Sequence, residues 1–152
     1  MVVKDRVLHN RRARFDYEIL ETFEAGLVLQ GSEIKSLRQG GGSIAEAYAR
    51  VRNGEAFLEG SSIPTIQEAS YNNHAPDRVR KLLLHRRQID ELRIAVERQG
   101  LTIVPLKLYL KEGRAKIEIA LARGRKRHDK RRAVAEREAK REMDRAMKGR
   151  DR

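Results

Sequence analysis

Leu-Thr-Ile-Val-Pro-Leu-Lys-Leu-Tyr-Leu-Lys-Glu-Gly-Arg-Ala-Lys-Ile-Glu-Ile-Ala-Leu-Ala, residues 101 to 122, decides the fold. Leu106, Leu108 and Leu110 recur at every second position, and so do Ile117, Ile119 and Leu121. A period of two is that of a strand with one buried face. Glu112-Gly113 is the turn that folds Leu101 to Lys111 back on Arg114 to Ala122. Pro105 has no N–H for a ladder, so it marks an edge or a bulge. Upstream, Ile89, Leu92 and Val96 recur at helical spacing up to Gly100. His85 is placed as N-cap with Gln88 three residues on, which predicts a helix of about four turns.

Asn53-Gly54 between Ile44 to Arg52 and Glu55 to Glu59 is a hairpin signal, because both turn positions take positive φ. Two further strands are expected at Phe15 to Thr22 and Leu27 to Gln30, turning at Glu24-Ala25-Gly26. A short helix then starts at Ser32 as N-cap and stops at Gly40 to Gly42. Gly60 to Pro76 mixes turn residues without periodicity and is expected to be a long exposed connection. The sum is a mainly β fold of about six antiparallel strands with two or three short helices. Closing those strands into a small β-barrel removes edges that invite aggregation.

The chain of 152 residues carries a net charge of +12 and no cysteine. Disulfides, thiol chemistry and cysteine-bound zinc are thereby excluded. Such a basic balance points to nucleic acid. No apolar run reaches the roughly 20 residues that span a bilayer, and Met1 to Asn10 carries charges where a signal peptide would be apolar. No membrane contact is expected, and the compartment is read as cytoplasmic. The last thirty residues hold 14 Lys or Arg against 6 Asp or Glu. From Ala133 to Met147 they favour helix, but the stripe Ala135, Ala139, Met143, Ala146 and Met147 is too thin to pack. The expected organisation is a flexible arm over 1–9, the barrel over 10–122, and a basic tail over 123–152. The tail is expected to be disordered when free and to gain helix against a polyanion.

His9, His74, His85 and His128 are scattered, and no paired acids or metal-ligand spacing emerges. No catalytic residue, metal or cofactor is expected, and the acids are read as solvated partners of Lys or Arg. Gly40-Gly41-Gly42 follows a helix instead of opening one, so it is a stop and not a phosphate loop. With only seven Phe, Tyr and Trp residues, mostly in strand patterns, stacking on unpaired bases has little support. Folded RNA, recognised by backbone and shape, is the better partner. Three clusters are placed to hold it: Asn10, Arg11, Arg12 and Arg14 before the first strand; Lys35 and Arg38 on the first helix; Arg78, Arg80 and Lys81 with Arg86 and Arg87 around the second. For the first a basic leader without specificity competes, and for the second a solvated helix face; in the third, cations in the first turn of a helix oppose its dipole, which favours an external anion.

Taken together these segments resemble the SsrA-binding protein family. The resemblance runs through Asn-Arg-Arg-Ala-Arg (10 to 14), Glu-Ala-Gly-Leu-Val-Leu-Gln-Gly-Ser-Glu-Ile-Lys-Ser-Leu-Arg (24 to 38), Arg-Lys-Leu-Leu-Leu-His (80 to 85), Pro-Leu-Lys-Leu-Tyr (105 to 109) and His-Asp-Lys-Arg (128 to 131). It implies an oligonucleotide-binding-fold barrel that grips the tRNA-like domain of transfer-messenger RNA, with Asn10, Glu24 and Leu83 at positions on which binding depends. Glu24 would accept from a base amino group or 2′-hydroxyl, or hold a neighbouring Arg; Leu83 would support the surface by packing. The resemblance also implies a monomeric, non-enzymatic adaptor. It would promote aminoacylation of that RNA and deliver it to stalled ribosomes, with His128, Asp129, Lys130 and Arg131 in the small-subunit decoding centre and the rest of the tail along the message channel. A constitutive ribosomal or assembly protein is the alternative. Gly41, Gln88 and Phe15 depart from the family pattern.

Overall fold

The structure, a computed structural model, describes residues 7–66, 74–125 and 127–150; the side chains of 127–133 and 148–150 lie outside the described set. In chain order the elements are β1 Val7–His9, α1 Ala13–Asp16, β2 Tyr17–Leu27, α2 Gly31–Arg38, β3 Tyr48–Arg52, β4 Glu55–Glu59, β5 Arg80–Leu83, α3 Arg86–Gln99, β6 Thr102–Lys111, β7 Arg114–Gly124 and α4 Arg127–Arg150. Neighbours pair antiparallel around a closed ring, β6-β3-β4-β5-β2-β7 and back to β6, while β1 adds to the outer side of β6. The expected closure is therefore observed: among the described residues six strands form the ring and a seventh, β1, lies beside it.

Local signals held where the chemistry is local. Asn53 and Gly54 have φ of 52° and 76°, and Glu112 and Gly113 have 53° and 78°, so both hairpins turn through paired left-handed residues. His85 and Gln88 form the reciprocal cap of α3, and Gly100 closes it at φ 66°. Pro105 sits at a bulge between β6 and β7. That bulge re-aims Leu106, which leaves the row of Leu108 and Leu110 and packs with Val104.

Other expectations are corrected. β2 is one strand without a turn at Glu24-Ala25-Gly26. Gly26 is there for close approach: a Cβ on it would lie 3.2 Å from the Leu83 Cβ. Phe15 belongs to the helical turn α1, and residues 7–9 of the expected arm are a strand held to β6. The N-cap of α2 is Gln30, not Ser32, with Glu33 bonding back to the Gln30 N–H at 2.8 Å. Ser32 is occupied elsewhere, 2.9 Å from Nδ1 of His74. The 60–76 connection buries Ser61, Ile63, Ile66 and His74 instead of lying exposed; residues 67–73 fall outside the described set.

The core has two parts. Inside the ring, Leu58, Leu82, Ile103, Ile117 and Ile119 are almost wholly buried, and Leu92 of α3 plugs one end. A smaller cluster lies outside the ring, where Ala13 of α1 packs on Val104, Leu106, Ala120 and Ala122. Ala120 and Ala122 alternate with the inward Ile119 and Leu121, and their small size lets α1 settle on the outer face of β7. This second cluster fixes the Asn10 to Arg14 segment.

Candidate nucleic-acid interface

Residues directly opposite across a ladder project to the same side of the sheet, so register assembles the surface. Leu83 of β5 stands opposite Gly26 of β2, Gly26 opposite Lys116 of β7, Lys116 opposite Tyr109 of β6, and Tyr109 opposite Val7 of β1. A second row two residues along runs Glu24, Glu118, Lys107, His9. Their chain neighbours Ala25, Leu82, Leu108 and Ile117 are buried inside the ring, so both rows face outward. Glu24 and Leu83 thus share one face, and Asn10 follows His9 at its border.

This face is organised electrically. The Tyr109 hydroxyl donates to Oε2 of Glu24 at 2.6 Å. That bond, with Lys111, Lys116 and Lys107 around it, holds the Glu24 carboxyl below its ordinary value against the opposing pull of desolvation. Desolvation and the same bond push the Tyr109 phenol up to about 12. The Lys107 ammonium lies 5.5 Å from the Tyr109 ring centre and 3.8 Å from Glu118.

At the border, Asn10 stitches the chain to the β6 bulge. Its backbone N–H donates to Leu106 O at 2.8 Å and its Nδ2 to Pro105 O at 3.0 Å. The buried Oδ1 has no hydrogen-bond partner among the described residues. Beside it opens a cleft of about 480 Å³ lined by His9, Asn10, Arg11, Arg14, Lys107 and Glu118. Three cations around a concave polar surface suit a phosphate backbone.

The remaining expected residues divide. Arg12 is exposed and loosely paired with Asp16 at 3.9 Å. Lys35 and Arg38 are exposed on α2, and the Arg38 guanidinium approaches the β6–β7 hairpin tip, 4.0 Å from where a Gly113 Cβ would stand. Lys81 is outward, 3.2 Å from Glu55, and Leu83 is 54% exposed. Arg80 contradicts its assignment. It is fully buried, donating to Glu33 at 2.6 Å, to Ser61 Oγ at 2.9 Å and to the Arg78 carbonyl at 2.8 Å. Glu33, read as a solvated acid, is equally buried between Arg78 and Arg80. Burial raises its carboxyl, but the bonds from Arg78 and Gln30 and the charge of Arg80 win, leaving it below the ordinary value. Arg80 is thus a buried structural ion, not part of the exposed surface expected of it.

Sequence reasoning missed His9, Lys107, Tyr109, Lys111, Lys116 and Glu118. The alternation that put Leu108, Leu110, Ile117 and Ile119 inside also put their neighbours on one outer face. In the tail, α4 is a 24-residue helix, the form foreseen for the bound state. Its side chains from Ala135 to Met147 are all exposed. His128, Asp129, Lys130 and Arg131 lie in its first turns, their side chains outside the described set. The root is fixed, because Arg125 N–H donates to Asp16 O at 2.9 Å. No helix among the described residues is long and apolar enough to cross a membrane.

Comparison with known proteins gives a consistent result. The family model described as SmpB protein matches residues 7–149. An SsrA-binding protein of Azorhizobium caulinodans is 57% identical over 145 residues, 95% of this chain and 91% of the relative. One from Frankia casuarinae is 55% identical over 141 residues, 93% and 89% of the two chains. A solved structure described as "tmRNA-SmpB: a journey to the center of the bacterial ribosome" aligns with a TM-score of 0.67 and 50% identity, covering 84% of this chain and 94% of that one.

Proposed function

This chain belongs to the SmpB family, and on that ground we propose that it is an adaptor for transfer-messenger RNA in ribosome rescue. The outer face of β5, β2, β7, β6 and β1 grips the tRNA-like domain, promotes its aminoacylation and carries the RNA to stalled ribosomes in the cytoplasm. One copy suffices, and peptidyl transfer stays with the ribosome, so the protein performs no chemistry of its own. The observation that carries this reading is the register that gathers Glu24, Leu83, Lys107, Tyr109 and Lys116 on one face beside the Asn10, Arg11 and Arg14 cleft.

The tail takes the second task. Over Ala135 to Met147 every side chain of α4 is exposed, so its helix is stabilised when ribosomal phosphates neutralise its charge. At ~1.5 Å per residue its 24 residues extend roughly 36 Å, a length suited to a message channel. His128, Asp129, Lys130 and Arg131 then meet the decoding centre. The test is removal of residues 127–152: affinity for the tRNA-like domain is retained while peptide tagging disappears. Loss of both together would refute the division, and stoichiometric presence on all ribosomes in a sedimentation profile would favour a constitutive ribosomal protein.

A further inference from the structure

A carboxylate on a surface that meets phosphates is an electrostatic liability, and Glu24 is exposed at the middle of this one. Its geometry explains it. Oε2 takes the only proton the Tyr109 hydroxyl has to give, in a short bond to a charged acceptor. The phenol oxygen is left with lone pairs and nothing to donate. Around it stand Lys107, over the ring, with Lys111 and Lys116 close to the same carboxylate.

A polyanion laid on these lysines meets a fixed acceptor between them. The group that answers it must be a donor set close to phosphates. In RNA every ribose 2′-hydroxyl is such a donor, and DNA has none. We infer that Tyr109 is a specificity-determining residue that accepts a hydrogen bond from a ribose 2′-hydroxyl, and that Glu24 is the positioning residue that pins its proton away from the ligand. Without Glu24 the phenol would be free to donate to a phosphate oxygen, a contact that any nucleic acid offers. Glu24 acts through Tyr109 and does not itself touch the RNA. This rests on reading the face as the RNA interface.

The experiment titrates the full chain with the tRNA-like domain of transfer-messenger RNA, unmodified and with single 2′-deoxy substitutions scanned along it. For the unaltered protein at least one deoxy position costs about three- to tenfold, the value of one hydrogen bond. Tyr109→Phe loses the same factor on unmodified RNA and becomes blind to that position. Glu24→Ala, whose freed phenol can donate to phosphate instead, becomes blind to that position too, and the double variant loses no further discrimination. Glu24→Gln, whose carbonyl still accepts from the phenol, keeps the discrimination and supplies a control for folding. Wild-type affinity in Tyr109→Phe, or additive losses in the double variant, would overturn the inference while leaving the RNA interface standing. Failure of the unaltered chain to bind the domain at all would instead bring down the functional reading beneath it.

Discussion

Glu24 and Glu33 are nine residues apart and do opposite work. Glu33 lies fully buried at the start of α2, clamped by Arg78 and Arg80 and bonded to the Gln30 N–H. Glu24 stands in solvent, bonded to a phenol and surrounded by lysines that remain outward. Below α2 the cations are consumed by the fold; across β2, β7 and β6 they are left for a ligand. Arg80 and Lys81 make the same contrast between adjacent residues, since alternation along β5 sends one inside and the other out. Basic composition alone therefore says little about which cations bind RNA. Strand parity says which can.

The contrast breaks most readily at Glu33. Glu33→Ala strands the buried Arg80 charge and should cost about 3–5 kcal/mol of folding stability, read by urea denaturation. A loss below about 1 kcal/mol would mean the cluster does not pin α2 to β5. The same group fixes an acid limit. Its folded pKa is depressed, so its stabilisation is present above the unfolded carboxylate value and is lost as pH falls through the lower folded value. Melting temperatures of the unaltered protein should drop in that window, and those of Glu33→Gln should drop less.

On the other side of the comparison, Arg11→Ala with Arg14→Ala should leave stability unchanged and weaken RNA binding. Each lost phosphate contact should flatten the salt dependence of affinity by roughly 0.7–0.9 in log–log slope. An unchanged slope would remove the cleft from the interface. The smallest effect is expected for Lys81→Ala, whose exposed partner is Glu55; urea denaturation should find a change within about 1 kcal/mol. Tyr109 sharpens the comparison at high pH. Its phenol is raised from 10.0 to about 12, so the Glu24 bond contributes fully below pH 10 and is lost as pH rises toward 12. Nuclear magnetic resonance titration of the tyrosine ring should place that midpoint, and Glu24→Ala should return it toward 10.0.

The sequence was readable wherever neighbours in the chain are neighbours in space. Asn53-Gly54, Glu112-Gly113 and the His85 to Gln88 cap each depend on a few adjacent residues, and each formed as expected. β1 and β5 were missed because three or four residues become strand only through distant partners, β6 for one and β2 with β4 for the other. Gly26 resembled a turn because its reason for being glycine, Leu83, lies 57 residues on. The Arg80 error has the same root: once β5 is known, the parity of Leu82 places Arg80 inside. Of the candidate site, the basic leader and the Asn10, Glu24 and Leu83 positions were visible. The lysines and Tyr109 that join them sit on the outward half of each alternation, where no apolar pattern marks them.

The joint between α1 and the root of the tail has a mechanical consequence. Arg14, on the wall of the cleft, and Asp16, whose carbonyl holds Arg125, are two residues apart in one short turn braced on Ala120 and Ala122. Tyr17 and Gly124 continue the seam into the sheet. The end of β7 at Arg125 and the wall of the cleft at Arg14 are thus tied to one short turn, so a load on either is felt at the same brace. Shortening or loosening that turn should therefore disturb the cleft and the hold on Arg125 together.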